Sequence, residues 1–308
     1  MPAPFSHPPA RARRSARRVS WLVAAALGAV LAAAACSPLA VINRLVPDDT
    51  HTVTRELAYG EHPRQRLDLY APLAAGAAAA RGVPVVVFFY GGAWTAGARA
   101  DYRFAGEAFA SRGYLAVVAD YRLHPEVRFP EFLHDAAAAV AWAARNAARY
   151  GGDPARLYLA GHSAGAYNAA MLAYAPRYLA DAGVNPDAIR GFIGLAGPYD
   201  FLPLTGATTR AVFGYPDTAP TTQPIHFIGR EPQRRLPPAL LVTATTDGTV
   251  SPGNSARLAA RLRAAGAPAV LRSYDNLDHA RVVGALAAPL RGMAPVLDDI
   301  AAFIAAQP

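Results

Sequence analysis

Short apolar runs recur along this chain, and most neighbouring pairs are separated by room for one helix. Runs at 84–89 and 239–244 read as buried strands, and 114–119, 157–160, 190–195 and 269–274 as further strands. Between and after them, helical patterns fall at 101–112, 131–149, 165–175, 255–265 and 293–306. Upstream, 52–59 and 65–70 read as an edge hairpin, and 74–82 as a low-complexity surface loop. Strands alternating with helices predict an α/β domain with a mostly parallel sheet and helices on both faces. No internal repeat is visible. The alternation breaks once, from Tyr199 to Pro237, a stretch rich in Pro, Thr and aromatic residues. A connection that long inside a compact domain is usually functional, and it reads as a small cap. Within it Phe201, Phe213, Tyr215, His226 and Phe227 are either pocket-lining or cap-packing residues.

The run 157–160 leads directly into Gly161-His162-Ser163-Ala164-Gly165, followed by a helix rich in small residues. Strand, tight turn with flanking glycines, then helix is the setting of a nucleophile elbow. The turn holds the serine in a strained backbone with its hydroxyl at the carboxyl edge of the sheet, and glycines allow neighbouring chain to come close. A lone serine is a poor nucleophile and needs a base and a site for the developing oxyanion. Asp247 leaves the end of strand 239–244, and His279 follows strand 269–274, so the order serine, acid, histidine is the one this elbow requires. Asp275 and Asp278 are rival acids, but a loop so short would seldom let them reach the far ring nitrogen. Strand 84–89 breaks at Tyr90-Gly91-Gly92-Ala93-Trp94, where backbone N–H groups of Gly92 and Ala93, with that of Ala164, are expected to form the oxyanion hole. Trp94 reads equally as pocket wall and core filler. Asp120, Arg122 and Asp153 read as structural hydrogen-bonding residues at loop corners.

Taken in order, Tyr90–Trp94, Asp120-Tyr121-Arg122-Leu123, Tyr150-Gly151-Gly152-Asp153-Pro154 and the elbow resemble the α/β-hydrolase superfamily, over roughly residues 54–305. The pattern is similar to hormone-sensitive-lipase-like and kynurenine-formamidase-like carboxylesterases, isoprenylcysteine methylesterase-like proteins included. The resemblance implies an α/β-hydrolase fold, ester or amide hydrolysis, and no metal or organic cofactor. Relatives mostly carry His-Gly-Gly where this chain has Tyr90. That histidine is no triad member, so hydrolysis is unaffected, while formamidase specificity carries over less well. The expected function is a serine carboxylesterase acting on small to medium esters through an acyl-enzyme. A formamidase-type C–N hydrolase and a catalytically silent binding protein are the alternatives.

Composition alters this picture only at the N-terminus. Hydrophobic residues make up 53% of the 308-residue chain, ample for a core. Net charge is +8, but Arg11, Arg13, Arg14, Arg17 and Arg18 supply five charges ahead of an apolar run from Trp21 to Ala35. About +3 remains elsewhere, too diffuse for a nucleic-acid partner. The Arg-rich stretch and the 15-residue apolar run read as an export signal. Cys36, the only cysteine, follows Ala33-Ala34-Ala35 and is the expected lipidation position of a bacterial lipoprotein leader, although the usual Leu three residues earlier is Ala33. Ordinary cleavage and an uncleaved anchor are the rivals. Residues 1–36 are thus read as leader, 37–52 as tether and 53–308 as hydrolase domain with its cap near 199–237. The expected location is outside the cytoplasm, periplasmic or membrane-anchored through the N-terminus, and a single cysteine leaves no internal disulfide.

Overall fold

The computed structural model describes residues 38–73, 82–231 and 234–307. The leader and Cys36 lie outside these residues, as does most of the 74–82 loop. Residues 1–44 and 45–308 are separate units. In the first, the described part is a short helix, α1 (Pro38–Arg44), within the stretch read as a tether.

The second unit is built on an eight-stranded sheet. In chain order its elements are β1 (His51–Ala58), β2 (Arg66–Pro72), β3 (Val83–Phe89), α2 (Arg103–Ser111), β4 (Leu115–Ala119), α3 (Glu131–Asn146), β5 (Gly152–His162), α4 (Ala164–Tyr174), α5 (Arg177–Asp181), β6 (Ile189–Leu195), α6 (Ala207–Phe213), β7 (Ala239–Ala244), α7 (Gly253–Ala264), β8 (Ala269–Tyr274), α8 (His279–Gly284) and α9 (Val296–Ala305). Spatial order is β1-β2-β4-β3-β5-β6-β7-β8. The hairpin β1–β2 pairs antiparallel, β2 joins β4 antiparallel, and all other pairs are parallel. Helices cover both faces, as in the α/β-hydrolase fold. The central strands β3, β4 and β7 are almost wholly buried, which is why they read as continuous apolar runs. Edge strand β8 instead has only half-buried and exposed positions.

Strand β5 begins five residues before the apolar run that marks it in the sequence. Its partner register on β3 jumps from Val83↔Gly152 to Val85↔Leu157, so Pro154 sits within the irregularity, where a missing ladder donor is tolerated. Among the described residues no helix is long and apolar enough to cross a membrane.

Two buried polar clusters set the loops at the carboxyl ends of β3 and β4. Arg122 donates to Asp135 through its backbone N–H and guanidinium, and Gln65 Nε2 adds a third donor group at 2.8 Å. Arg99 joins the buried carboxylates of Asp68 and Asp120 and reaches Glu56. Glu56 occupies a bulge between Thr54 and Leu57 with a positive φ, and its N–H donates to Asp68. The bulge thus re-aims one edge-strand side chain at Arg99. Asp120 and Arg122 thus each serve a structural cluster, and Asp153, in the irregular start of β5, accepts from Ala155 N and Arg156.

Helix α4 runs against the end of β3, and every one of its residues is buried. A Cβ at Gly165 would lie 2.0 Å from the Phe89 carbonyl oxygen, so only glycine permits this approach. Gly165→Ala is expected to lower unfolding stability by at least ~2 kcal/mol, because backbone has to move. Gly113→Ala, at φ +82° with open space around it, is expected to cost only about 1 kcal/mol. Urea unfolding of the two variants checks the contrast.

Candidate active site

The elbow forms where β5 passes into α4. Ser163 has φ 53° and ψ −123°, a strained combination for a residue with a side chain. Its N–H donates to the Leu195 carbonyl at 2.9 Å, and its own carbonyl accepts from Tyr167 N, so strand and helix hold the turn from both ends. At Gly161 an added Cβ would meet the Gly165 carbonyl oxygen at 2.3 Å.

His279 Nε2 lies 2.9 Å from Ser163 Oγ, and His279 Nδ1 lies 2.8 Å from Asp247 Oδ2. The Asp247 side chain is fully buried, and that of His279 is 17% exposed. Asp247 Oδ1 accepts from the N–H groups of Thr249 and Val250, both at 2.8 Å, so the carboxylate is anchored by its own turn. A buried acceptor on Nδ1 fixes the ring proton there and leaves Nε2 to accept from the serine hydroxyl. The structure therefore brings together the three side chains singled out by chain order. His279 sits at the first position of helix α8 rather than in a loop. Asp278 caps that helix, its carboxylate accepting from Arg281 N, which occupies the rival acid elsewhere. Thr246 Oγ1 donates to the Leu277 carbonyl and ties the acid-bearing turn to the histidine-bearing one.

The turn after β3 presents Gly92, Ala93 and Trp94 at positive φ. The Gly92 carbonyl accepts from Thr95 N and Ala96 N, and a Cβ at Gly92 would strike the Ala96 carbonyl oxygen at 2.0 Å. Ala93 and Ala164 border the same cavity as Ser163, whereas Gly92 is not among its lining residues. Beneath the turn, Tyr90 is fully buried between Tyr102 and Tyr121, donates to Asp120 at 2.8 Å and accepts from Arg64 Nη2. Tyr121 in turn donates to the Tyr90 carbonyl. The tyrosine that departs from the family pattern thus serves as an anchor for the loop.

The cavity measures about 470 Å³. Trp94, Pro198, Phe201, Leu202 and Val250 give it an apolar wall, and Asp200, Ser251, Asn254 and Arg257 a polar one. Trp94 is both wall and filler. It packs edge-on against Tyr167 and Phe213, and its indole N–H donates to Asn168. Of the five residues Phe201, Phe213, Tyr215, His226 and Phe227, Phe201 lines the cavity and the others do not. Phe213 is buried against Trp94, Tyr215 is exposed beneath Arg210, and His226 stacks edge-on with Phe227. Asn254 was not legible as a site residue. Its side-chain oxygen accepts from Tyr199 N and Asp200 N, joining the start of the 199–237 connection to α7. Among the described residues no group of three or more His, Cys, Asp and Glu is placed to hold a metal ion.

The family described as BD-FAE matches residues 67–262. The chain belongs to the BD-FAE family. Its matched region contains the turn after β3, the elbow and Asp247. This BD-FAE member is 31% identical to isoprenylcysteine alpha-carbonyl methylesterase ICME of Arabidopsis thaliana, over 83% of this chain and 62% of that protein. Esterase LipC of Mycobacterium tuberculosis is 28% identical, over 74% of this chain and 61% of its own length. The chain thus spans about three fifths of these curated relatives. A solved structure described as a truncated carbohydrate esterase from gut microbiota superposes with a TM-score of 0.71 at 20% identity, covering 84% of this chain and 97% of that one, which shows the shared fold.

His162, the variable residue of the elbow, is buried beside His279, with ring centroids 4.8 Å apart. Burial, and then the charge His279 carries when protonated, push its pKa down to about 3. The folded protein therefore refuses a proton that the unfolded chain accepts below about 6.5, so stability is full above that pH and falls toward pH 3. From pH 7 to 5 this one residue is expected to remove about 2 kcal/mol. Urea unfolding at both pH values checks it: His162→Gln should lose that much less than the wild type.

Proposed function

We propose that this protein is a serine carboxylesterase, hydrolysing small to medium carboxylic esters by way of an acyl-enzyme. The observation that carries this reading is the relay Ser163–His279–Asp247, joined at 2.9 and 2.8 Å and opening on an apolar-walled cavity. Such a cavity has the size of a small-molecule site. The relatives include one named a methylesterase and one named an esterase, which supports an ester as the bond cleaved and leaves the alcohol open.

In this reading His279 takes the proton of Ser163 as its oxygen attacks the ester carbonyl. The N–H groups of Ala93 and Ala164, at the cavity wall, with that of Gly92 behind them, stabilise the oxyanion. Asp247 holds the His279 tautomer and stabilises the imidazolium. Protonated His279 then passes its proton to the departing alcohol; a water deprotonated by His279 attacks the acyl group, and the proton returns to Ser163 Oγ as the acid leaves. Nothing in these steps calls for a cofactor. Export belongs to the same proposal and is supported by the leader sequence alone, with Cys36 as the candidate lipid attachment.

Hydrolysis of a p-nitrophenyl ester series by residues 37–308 tests the activity. Turnover of short acyl chains that vanishes in Ser163→Ala is expected, and equal buffer-level rates for both proteins would contradict it. Gly92→Ala should lower kcat about a hundredfold by displacing the oxyanion turn, with a smaller effect on KM. Steady-state kinetics on the preferred ester separates the two.

A further inference from the structure

The side chain of His162 has no part in the relay, yet its place and its polarity are both specific. Its Nε2 lies 3.0 Å from the main-chain carbonyl oxygen of His279. A carbonyl can only accept, so Nε2 carries the proton and donates. Its other nitrogen, Nδ1, is buried without a hydrogen-bond partner among the described residues. That atom faces the oxyanion turn, 2.9 Å from where a Cβ on Gly91 would sit. A buried unpaired ring nitrogen is costly, and an apolar side chain of similar size would fill the space without that cost. What an apolar residue would lack is the N–H on the His279 carbonyl.

The consequence is a closed circuit. Ser163 Oγ meets His279 Nε2, the His279 carbonyl meets His162 Nε2, and His162 is bonded through its peptide to Ser163. Asp247 fixes the rotation of the His279 ring, and its carboxylate hydrogen-bonds that ring and the N–H groups of Thr249 and Val250 rather than the His279 main chain. Asp278 caps helix α8 from the solvent side. From the inner side, the His162 donor ties the start of α8 to the elbow.

We propose that His162 is a positioning residue, which locks the backbone of His279 onto the nucleophile elbow and so sets the distance between serine and base. This rests on the serine-hydrolase reading above. The ring is suited to the task because it is short, planar and enclosed, so its donor cannot wander. A base displaced by even a fraction of an ångström loses its near-attack geometry, and displacements of about 1 Å can cost on the order of a hundredfold in rate. Substrate binding does not pass through this circuit, so kcat should respond and KM should not.

The test compares wild type, His162→Phe, His162→Met and His162→Gln, with Ser163→Ala as control. Gln places an amide N–H near the position of Nε2, while Phe and Met fill the space without a donor. Two rates are read, and only on variants whose thermal unfolding remains cooperative: ester turnover, and phosphonylation of Ser163 by a small alkyl fluorophosphonate followed by mass spectrometry. The labelling rate reports serine activation without requiring the right ester. Phe or Met, whichever folds, should lower kcat and the labelling rate at least about tenfold with KM within about twofold, and Gln should restore most of the loss. Labelling at the wild-type rate without a donor would overturn the proposal, as would a Gln variant as slow as the apolar ones. If only Gln folds, a wild-type labelling rate supports the circuit and a tenfold loss overturns it. A wild type that labels at Ser163 but cleaves no ester would count against the esterase reading alone. A wild type that does not label would overturn both.

Discussion

The whole site depends on how closely the elbow helix approaches the end of β3. Gly165 touches the Phe89 carbonyl, and Gly161 touches Gly165, at separations that leave no room for a Cβ at either position. That contact puts Ser163 and Ala164 in one cavity with Ala93 of the turn that follows β3. The apolar burial of β3, β5 and α4 supplies the driving force, and the two glycines remove the steric barrier. Strain at Ser163 is tolerated because backbone hydrogen bonds from β6 and α4 hold it on both sides.

Polar groups then set what the apolar core cannot. Asp120 receives Tyr90, Arg99 N–H and the Arg99 guanidinium, so one buried carboxylate fixes both ends of the loop from residue 90 to residue 99. Asp247 is held by its own turn before it meets His279. In each case a charged group is buried only with several donors around it, the condition under which burial is tolerable. The aromatic stack of Tyr102, Tyr90 and Tyr121 closes the space beneath.

Much of this was legible in the sequence because the fold writes its order there. Central strands are apolar on both faces, so β3, β4, β6 and β7 stand out, and the chain order Ser163, Asp247, His279 follows from which strand each residue leaves. The start of β5 was not legible, since Pro154 lies in a register irregularity that only the partner strand reveals. Nor was helix α8. Its six residues are too few to show a period, and Asp278, which the sequence offers only as a rival acid, caps it. Which cap aromatic faces the cavity is a tertiary fact. Phe201 and Phe213 are equally apolar in sequence, but Phe213 is drawn under Trp94 while Phe201 remains at the wall. The hydrogen-bonding roles of Asn254 and of His162, the elbow's variable residue, were not legible for a related reason: their partners are main-chain groups far away in sequence.

The central claim is that Ser163 carries the acyl group during turnover. Acid-quenching a reaction with an activated ester during the first turnovers, followed by peptide mass spectrometry, tests it most directly. The account predicts an acyl mass on the peptide containing Ser163, formed in step with a burst of released alcohol and absent from Ser163→Ala. Turnover that leaves Ser163 unmodified in the burst, or an acyl group on another residue, would contradict it.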